Sequence, residues 1–175
     1  MKAKTKMEQG VSLFNRVAGY PVNEKLVDLE KFLTDEIILP NGEMISGKEY
    51  LTRRASWMFE ECREFENAVG TGNLAGVADA VADLLYFALG TTLALGIDID
   101  AVFDLVQKAN MKKFTRCSRC NGKGHIVGSE GMEQCPDCRG YCLIATYRES
   151  DGKLEKPEGW TSPDIATEME RQATL

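Results

Sequence analysis

Four carboxylates carried by two neighbouring helical stretches constrain this chain more than anything else in it. The first stretch reads Glu60-Glu61-Cys62-Arg63-Glu64-Phe65, and the second reads Asp79-Ala80-Val81-Ala82-Asp83-Leu84-Leu85-Tyr86-Phe87, with a glycine-bearing break between them. Spacings of three (Glu61, Glu64) and four (Asp79, Asp83) put each pair on one face of a helix. If the helices lie side by side, four acidic groups converge, and they cannot all stay ionised without a counter-charge. A hard divalent cation with oxygen ligands, Mg²⁺ or Mn²⁺, supplies that charge and meets substrate phosphates. The second stretch is apolar nearly all round, from Val77 to Leu89, and so reads as a buried helix. The competing reading leaves Glu61 and Glu64 in solvent and gives Asp79 and Asp83 hydrogen bonds in a core. Buried aspartates with no cation beside them in the sequence favour the metal.

The rest of the chain up to residue 114 supports an all-α fold, a bundle of about five helices. Val11, Phe14 and Val17 stand at helical spacing over residues 6–18, before Gly19 and Pro21. Asn23 is the expected cap of a second helix with Leu26, Val27, Leu29, Phe32 and Leu33 on its apolar face, stopping before Pro40-Asn41-Gly42. A third helix spans 47–69, a fourth 74–95, and a fifth runs from an Asp98 cap to about Phe114. No strand is expected before Thr115. Short breaks make neighbouring helices antiparallel.

Residues 115–148 change character. Cys117-Ser118-Arg119-Cys120 is answered by Cys135-Pro136-Asp137-Cys138, each pair followed by glycines. Each pair lets one tight turn present two thiolates, and together they suit a closed tetrahedral Zn²⁺ site. Such a site supplies folding rather than chemistry, and a module this small needs the ion to fold. Cys142 is spare, and His125 is a loop residue rather than a ligand. Two short strands, around Ile126-Val127 and Leu143–Tyr147, flank the knuckles. Seven basic and three acidic residues between 112 and 148 leave a local excess of four positive charges, which suits either an anion-facing surface or plain solvated charge. The expected division is therefore a helical domain over 1–114, a zinc-binding module over 115–148 and a polar tail over 149–175.

Several of these residues resemble a known family. Glu61-x-x-Glu64 followed by Asp79-x-x-x-Asp83 is similar to the all-α nucleoside triphosphate pyrophosphatases, the MazG-like and phosphoribosyl-ATP pyrophosphohydrolase-like group. Lys108-Ala109-Asn110-Met111-Lys112-Lys113-Phe114 resembles that group's closing helix. Phe14-Asn15 with Gly19-Tyr20-Pro21-Val22 resembles the N-terminal helix and turn of phage-type members. One position departs from the common pattern: Ala80 stands three before the last aspartate, so Asp79 would serve in its place. The cysteine repeats resemble the zinc repeats of DnaJ-type chaperones, with Cys142 where a final glycine would stand.

The resemblance implies Mg²⁺-dependent cleavage of a nucleoside triphosphate between the α- and β-phosphates, giving a nucleoside monophosphate and pyrophosphate. Glu61, Glu64, Asp79 and Asp83 would hold the metal, and either Glu60 or Glu64 would take the proton of the attacking water. Asn110 and Lys113 would stabilise phosphate oxygens. Arg53 and Arg54 are further phosphate candidates, although exposed helix arginines are the plainer reading. Asn15, Trp57 and Phe14 are candidates for the base, against plain core roles for the two aromatics. Homodimers or homotetramers are implied, and pool control during phage replication is suggested by the phage-type segment.

Composition trims the alternatives. A hydrophobic share of 43% supports a real core. A net charge of −6 argues against a whole-molecule nucleic-acid binder, leaving nucleic acid the less favoured partner. Met1-Lys2-Ala3-Lys4-Thr5-Lys6 precedes no apolar segment and does not read as a signal peptide. The apolar run from Leu84 to Leu95 is interrupted by Gly90-Thr91-Thr92 and reads as too short for a bilayer, which needs about 20 residues. A cytoplasmic enzyme is expected, in the host cytoplasm if viral. The alternative function is a non-catalytic scaffold whose zinc module binds nucleic acid or a protein partner.

Overall fold

The computed structural model describes residues 5–129 and 131–175, so the reading of the first four residues lies outside the described residues. The chain divides into two compact units, residues 1–99 with 166–175, and residues 100–165.

The first unit opens with α1, Lys6–Ala18, started by a capping box between Thr5 and Glu8 and stopped by Gly19 in the left-handed conformation. Its inner stripe is Glu8, Val11, Ser12 and Asn15. The expected second helix is replaced by two smaller devices. Asn23 does not cap it: its side-chain amide donates to Ala94 O at 2.6 Å and its backbone N–H to Leu93 O at 2.8 Å, so it closes the end of a later helix. The cap is Asp28, and α2 covers only Leu29–Thr34. A hairpin follows, contrary to the expectation of no strand in this region. Strand β1, Glu36–Ile38, pairs antiparallel with β2, Met44–Ser46, with Ile37 opposite Ile45. Both isoleucines point inward, and their alternation over three residues satisfies a strand as well as it mimics a helix face. Phe32, Ile37, Leu39, Ile45, Tyr50 and Ala94 form the core of this unit, with Tyr20, Val27, Leu51 and Leu95 against it.

Ser46 caps α3, Gly47–Gly70, and Asn73 caps α4, Leu74–Leu95. These two long helices pack on each other, with α1 against α4 and α2 against α3. Gly90-Thr91-Thr92 does not interrupt α4. Thr91 and Thr92 hydroxyls bond back to Phe87 O and Leu89 O, and the bare surface of Gly90 receives the Arg54 guanidinium. As a continuous helix of 22 residues, α4 is long and apolar enough by length and composition to cross a membrane, which corrects the shorter span read from the sequence. It packs in this unit through Ala80, Gly90, Leu93 and Ala94. Its expected all-round burial is not found: Val81, Leu85 and Tyr86 are exposed, because α1 and α3 cover only part of its circumference.

In the second unit α5, Ile99–Met111, leads into paired knuckles. Strand β3, Thr115–Arg116, pairs with β6, Leu143–Ile144, while β4, His125–Gly128, pairs with β5, Gly131–Gln134. The two expected strands are present but do not pair with each other. The C-terminal residues return as α6, Ile165–Ala173, whose buried Gln172 amide brackets the Asp98 peptide in the first unit, accepting from its N–H at 2.9 Å and donating to its carbonyl at 3.2 Å.

The end of α4 is a tight backbone approach, matched in the first unit by that of Gly47 to Phe32 O. Gly96 has φ +66°, and a Cβ there would stand 1.8 Å from Lys25 O. Gly96→Ala combines left-handed strain with a backbone clash and should lower unfolding free energy by about 2 kcal/mol or more. Gly10→Ala, where a Cβ meets nothing within 4 Å, should not destabilise. Urea unfolding of the two variants against the parent checks this.

Candidate functional site

The inner stripe of α3 decides the chemistry of the first unit. Tyr50, Arg54, Trp57 and Glu61 recur at intervals of four, three and four, so all four lie on one face of α3. Arg54 is 3% exposed, which corrects its reading as an ordinary surface arginine. Its guanidinium donates to Thr91 Oγ1 at 2.7 Å, Phe87 O at 2.7 Å and Tyr50 Oη at 3.2 Å, and it lies 5.7–5.9 Å from the rings of Tyr50, Trp57 and Phe87. Neutral oxygens and aromatic faces hold this cation, and no carboxylate pairs with it among the described residues. Arg53 points elsewhere. It bonds Glu43 at 2.9 and 2.6 Å and Glu49 at 2.7 Å on the hairpin side of α3.

Asn15 from α1 comes to the same place. It is 3% exposed, and its side-chain Nδ2 is buried with no hydrogen-bond partner. A Cβ on Gly90 would meet both it, at 3.3 Å, and Arg54 NH2, at 2.3 Å. Only glycine leaves room for the two donors to meet the helix. Trp57 is half-buried, with its ring 5.5 Å from Phe87 and 6.3 Å from Tyr20. Phe14 is half-exposed and meets Tyr86 edge-on at 5.4 Å. Tyr20, Tyr50, Phe87, Gly90 and Thr91 thus belong to this region without having been read as site residues. The signal that could have found Tyr50 is its register with Arg54 and Glu61.

One turn beyond Trp57 lies Glu61. Its Oε2 is buried and finds no hydrogen-bond partner, an arrangement that costs about 1–3 kcal/mol unless something unseen meets it. Burial, then the charges of Glu64, Asp83, Asp79 and Glu60, hold the Glu61 carboxyl above its usual range. Every charged neighbour in that set is acidic. Glu60, Glu64, Asp79 and Asp83 are themselves exposed, so the two aspartates are not the buried groups expected from the apolar sequence around them. Helix α4 turns these positions outward and Ala80 inward. The structure therefore brings the four candidate ligands and Glu60 into one electrostatic neighbourhood. Among the described residues the carboxylates are not drawn to ligand spacing, as only the cysteines bring their ligand atoms within 4.8 Å. A buried, unsatisfied carboxylate oxygen among acids fits a hard cation.

Asn110 and Lys113 lie in the second unit, both half-buried, at and just beyond the end of α5. The cysteine cluster lies in the same unit. Cys117, Cys120, Cys135 and Cys138 are all buried, with Sγ–Sγ distances of 3.8 Å (Cys117–Cys135) and 3.6 Å (Cys120–Cys138). Thiolates about 2.3 Å from a tetrahedral ion stand about 3.8 Å apart, so these four could hold such a metal without rearrangement. Burial and the Cys120 thiol push the Cys138 thiol up. At Cys120 burial pushes the same way but is outweighed by the Gly124 N–H, at 3.3 Å, and the neighbouring thiols, which pull it down. Cys142 stays outside the cluster, its Sγ 3.6 Å from Gly140 O, and His125 is exposed on β4.

Residues 28–110 match the model of the family described as phosphoribosyl-ATP pyrophosphohydrolase. Among solved structures, a chain from Exiguobacterium sp. 255-15, described provisionally as an NTP pyrophosphohydrolase, aligns over 98% of this chain and 96% of its own, at 20% identity and a TM-score of 0.37. Superposition that loose carries no argument about the site. No curated protein matches the chain.

The raised Glu61 carboxyl has a stability consequence. Its ionised form burdens the metal-free fold; the burden is absent below the ordinary glutamate range and fully present above the raised one. Glu61→Gln should therefore raise the melting temperature of metal-free protein by a few degrees at pH 7, and the gain should vanish below about pH 4. Thermal unfolding of both proteins in chelator across that pH range checks it.

Proposed function

We propose that this chain, which belongs through residues 28–110 to the MazG-like phosphoribosyl-ATP pyrophosphohydrolase superfamily and is a pyrophosphohydrolase enzyme, converts a nucleoside or deoxynucleoside triphosphate to the monophosphate and pyrophosphate. The observation that carries the reading is the buried Glu61 Oε2 with no partner, set among four further acids and, among the described residues, no cation that offsets them. Glu61, Glu64, Asp79 and Asp83 would hold Mg²⁺ or Mn²⁺. Bound there, the ion neutralises phosphate charge and lowers the pKa of a water for in-line attack.

The chain's own groups do the remaining work in this reading. Glu60 or Glu64, both exposed beside the cluster, accepts the water's proton. Lys113 and Asn110 meet phosphate oxygens as charge shifts in the transition state. Arg53 reaches a phosphate only by leaving Glu43 and Glu49. The base lies against Trp57 and the neighbouring aromatics, with Phe14 at its margin. The unpartnered Asn15 Nδ2 then donates to a base acceptor, and Arg54 fixes the wall behind it.

The same surface argues for a second copy. Val81, Leu85 and Tyr86 of α4 and Phe59, Phe65 and Val69 of α3 are exposed around the carboxylates. An apolar surface of this kind is covered in a homodimer or a paired tetramer. Zn²⁺ on Cys117, Cys120, Cys135 and Cys138 would be structural, and the functional division proposed with it is a helical domain over 1–114, a zinc module over 115–148 and a tail over 149–175, which cuts across the two compact units. The enzyme would act on a cytoplasmic nucleotide pool, with phage replication as the setting suggested by its N-terminal segment.

Each nucleoside triphosphate is incubated with Mg²⁺ and the protein, and the products are resolved by ion-exchange chromatography. Pyrophosphate and monophosphate are expected in equal amounts from at least one substrate. Asp83→Asn should reduce kcat about a hundred-fold or more, since losses around a metal's outer shell already reach 10–100-fold. Release of inorganic phosphate alone, or no turnover of any nucleotide, would contradict the proposal.

A further inference from the structure

The pyrophosphatase reading leaves one built feature of the second unit unused. Residues 146–155 fold back as a short hairpin: Tyr147 pairs with Leu154, Arg148 N–H donates to Lys153 O at 2.8 Å, and Glu155 N–H donates to Thr146 O at 2.8 Å. Asp151 fastens the turn, accepting from Arg148 at 3.1 and 2.5 Å and from the Lys153 N–H at 3.1 Å. The chain then returns to α5, where the Trp160 indole N–H donates to Ala109 O at 2.7 Å, satisfying one of the helix's terminal carbonyls. Lys113 and Lys156 lie over the Trp160 ring, 5.8 and 4.2 Å from its centroid.

These contacts hold Lys113, Arg148, Lys153, Leu154, Glu155 and Lys156 around an open cleft of about 850 Å³. Four cations and one carboxylate line it. Arg148 is neutralised by Asp151, but no carboxylate pairs with Lys113 or Lys156 among the described residues, and Lys153 stands 4.0 Å from Asp151. The wider segment agrees: residues 112–156 hold nine Lys or Arg against six Asp or Glu, in a chain whose net charge is −6. Arg116, Arg119 and Arg148 make bonds within the unit, to Asn121 O, Asp137 and Asp151, which leaves the lysines of the cleft as the charge without a structural use. Tyr147, on the hairpin that bears Arg148 and Leu154, is 60% exposed.

We propose that this cleft binds the phosphodiester backbone of a single-stranded nucleic acid, with Lys113, Lys153 and Lys156 on successive phosphates and Tyr147 stacking on an unpaired base. The cleft is larger than a single phosphate needs and open to solvent, so a strand can run through it. An exposed aromatic beside a cationic track is the arrangement single strands use, since every base offers a face to stack. The site shares Lys113 with the hydrolytic reading, while Arg148, Lys153, Lys156 and Tyr147 have no part in that chemistry.

The test is fluorescence anisotropy of a fluorescein-labelled oligothymidylate titrated with the full-length, zinc-loaded protein in chelator-free, Mg²⁺-free buffer. Binding is expected, weakening about twenty-fold between about 50 and 200 mM salt, as three phosphate contacts on a single strand require. Lys153→Glu with Lys156→Glu should weaken it more than ten-fold while nucleotide hydrolysis and zinc content stay at parental levels, and Lys153→Arg with Lys156→Arg should restore it. Tyr147→Ala should weaken it several-fold with the salt dependence unchanged. No binding by the parent protein at low salt would overturn the proposal, as would undiminished binding by the double-glutamate variant. Displacement of the strand by inorganic tripolyphosphate at equal phosphate concentration would overturn the nucleic-acid assignment and mark a small-anion pocket.

Discussion

A carboxylate oxygen sealed from water with nothing to bond is the constraint from which the first unit is understood. Glu61 lies on the face of α3 that also carries Arg54, seven residues earlier. Arg54 is taken out of water whole and Glu61 through one carboxylate oxygen, yet the fold treats them oppositely. Arg54 is given three neutral acceptors and three ring faces, and its position is complete without any ligand. Among the described residues, the charges that act on Glu61 are all acidic. Burying a charge is tolerated when it is paired and costly otherwise, so the first arrangement reads as architecture and the second carries the proposal of a cation site.

The surroundings follow from the same contrast. Gly90 permits the Arg54 head and the Asn15 amide to approach α4, which fixes where α1 and α3 cross it. The threonines beside Gly90 bond back into their own helix, so a segment that looks like a break stays rigid. What α1 and α3 leave uncovered on α4 is an apolar strip bordered by carboxylates. That combination suits neither a free surface nor a closed core, and it is the surface on which the proposed second copy rests.

How much of this was legible in the sequence depended on whether local rules and tertiary packing agreed. The ends of α1, α3 and α4 were readable because caps and glycines sit at both ends of each. The cysteine cluster was readable because paired spacing around glycine turns has few other uses. The hairpin Glu36–Ser46 was not, since Leu33 and Ile37 continue the helical spacing of Phe32 and three-residue strands carry too little alternation to compete. Asn23 looked like a helix cap and is one, but for the wrong end of a different helix, a pairing 71 residues away that no local pattern reveals. The apolar residues all round Asp79 and Asp83 point to a core position, whereas the chain supplies only α1 and α3 to flank α4 and leaves both aspartates exposed. Arg54 was misjudged because its burial depends on Gly90 and Thr91, distant in sequence. Helix α6 is short, with Ile165 and Met169 as its larger apolar side chains, and Gln172 ties it to the Asp98 peptide.

The account stands or falls on whether the acids of α3 and α4 hold a divalent ion. Electron paramagnetic resonance of Mn²⁺ titrated into zinc-loaded protein, without nucleotide, measures this directly, because bound Mn²⁺ loses its free six-line signal. Saturable loss of signal is predicted in the parent and its absence in Asp79→Asn with Asp83→Asn, at unchanged zinc content. Mn²⁺ that stays free in the parent, or is taken up equally by the double variant, would contradict the central claim.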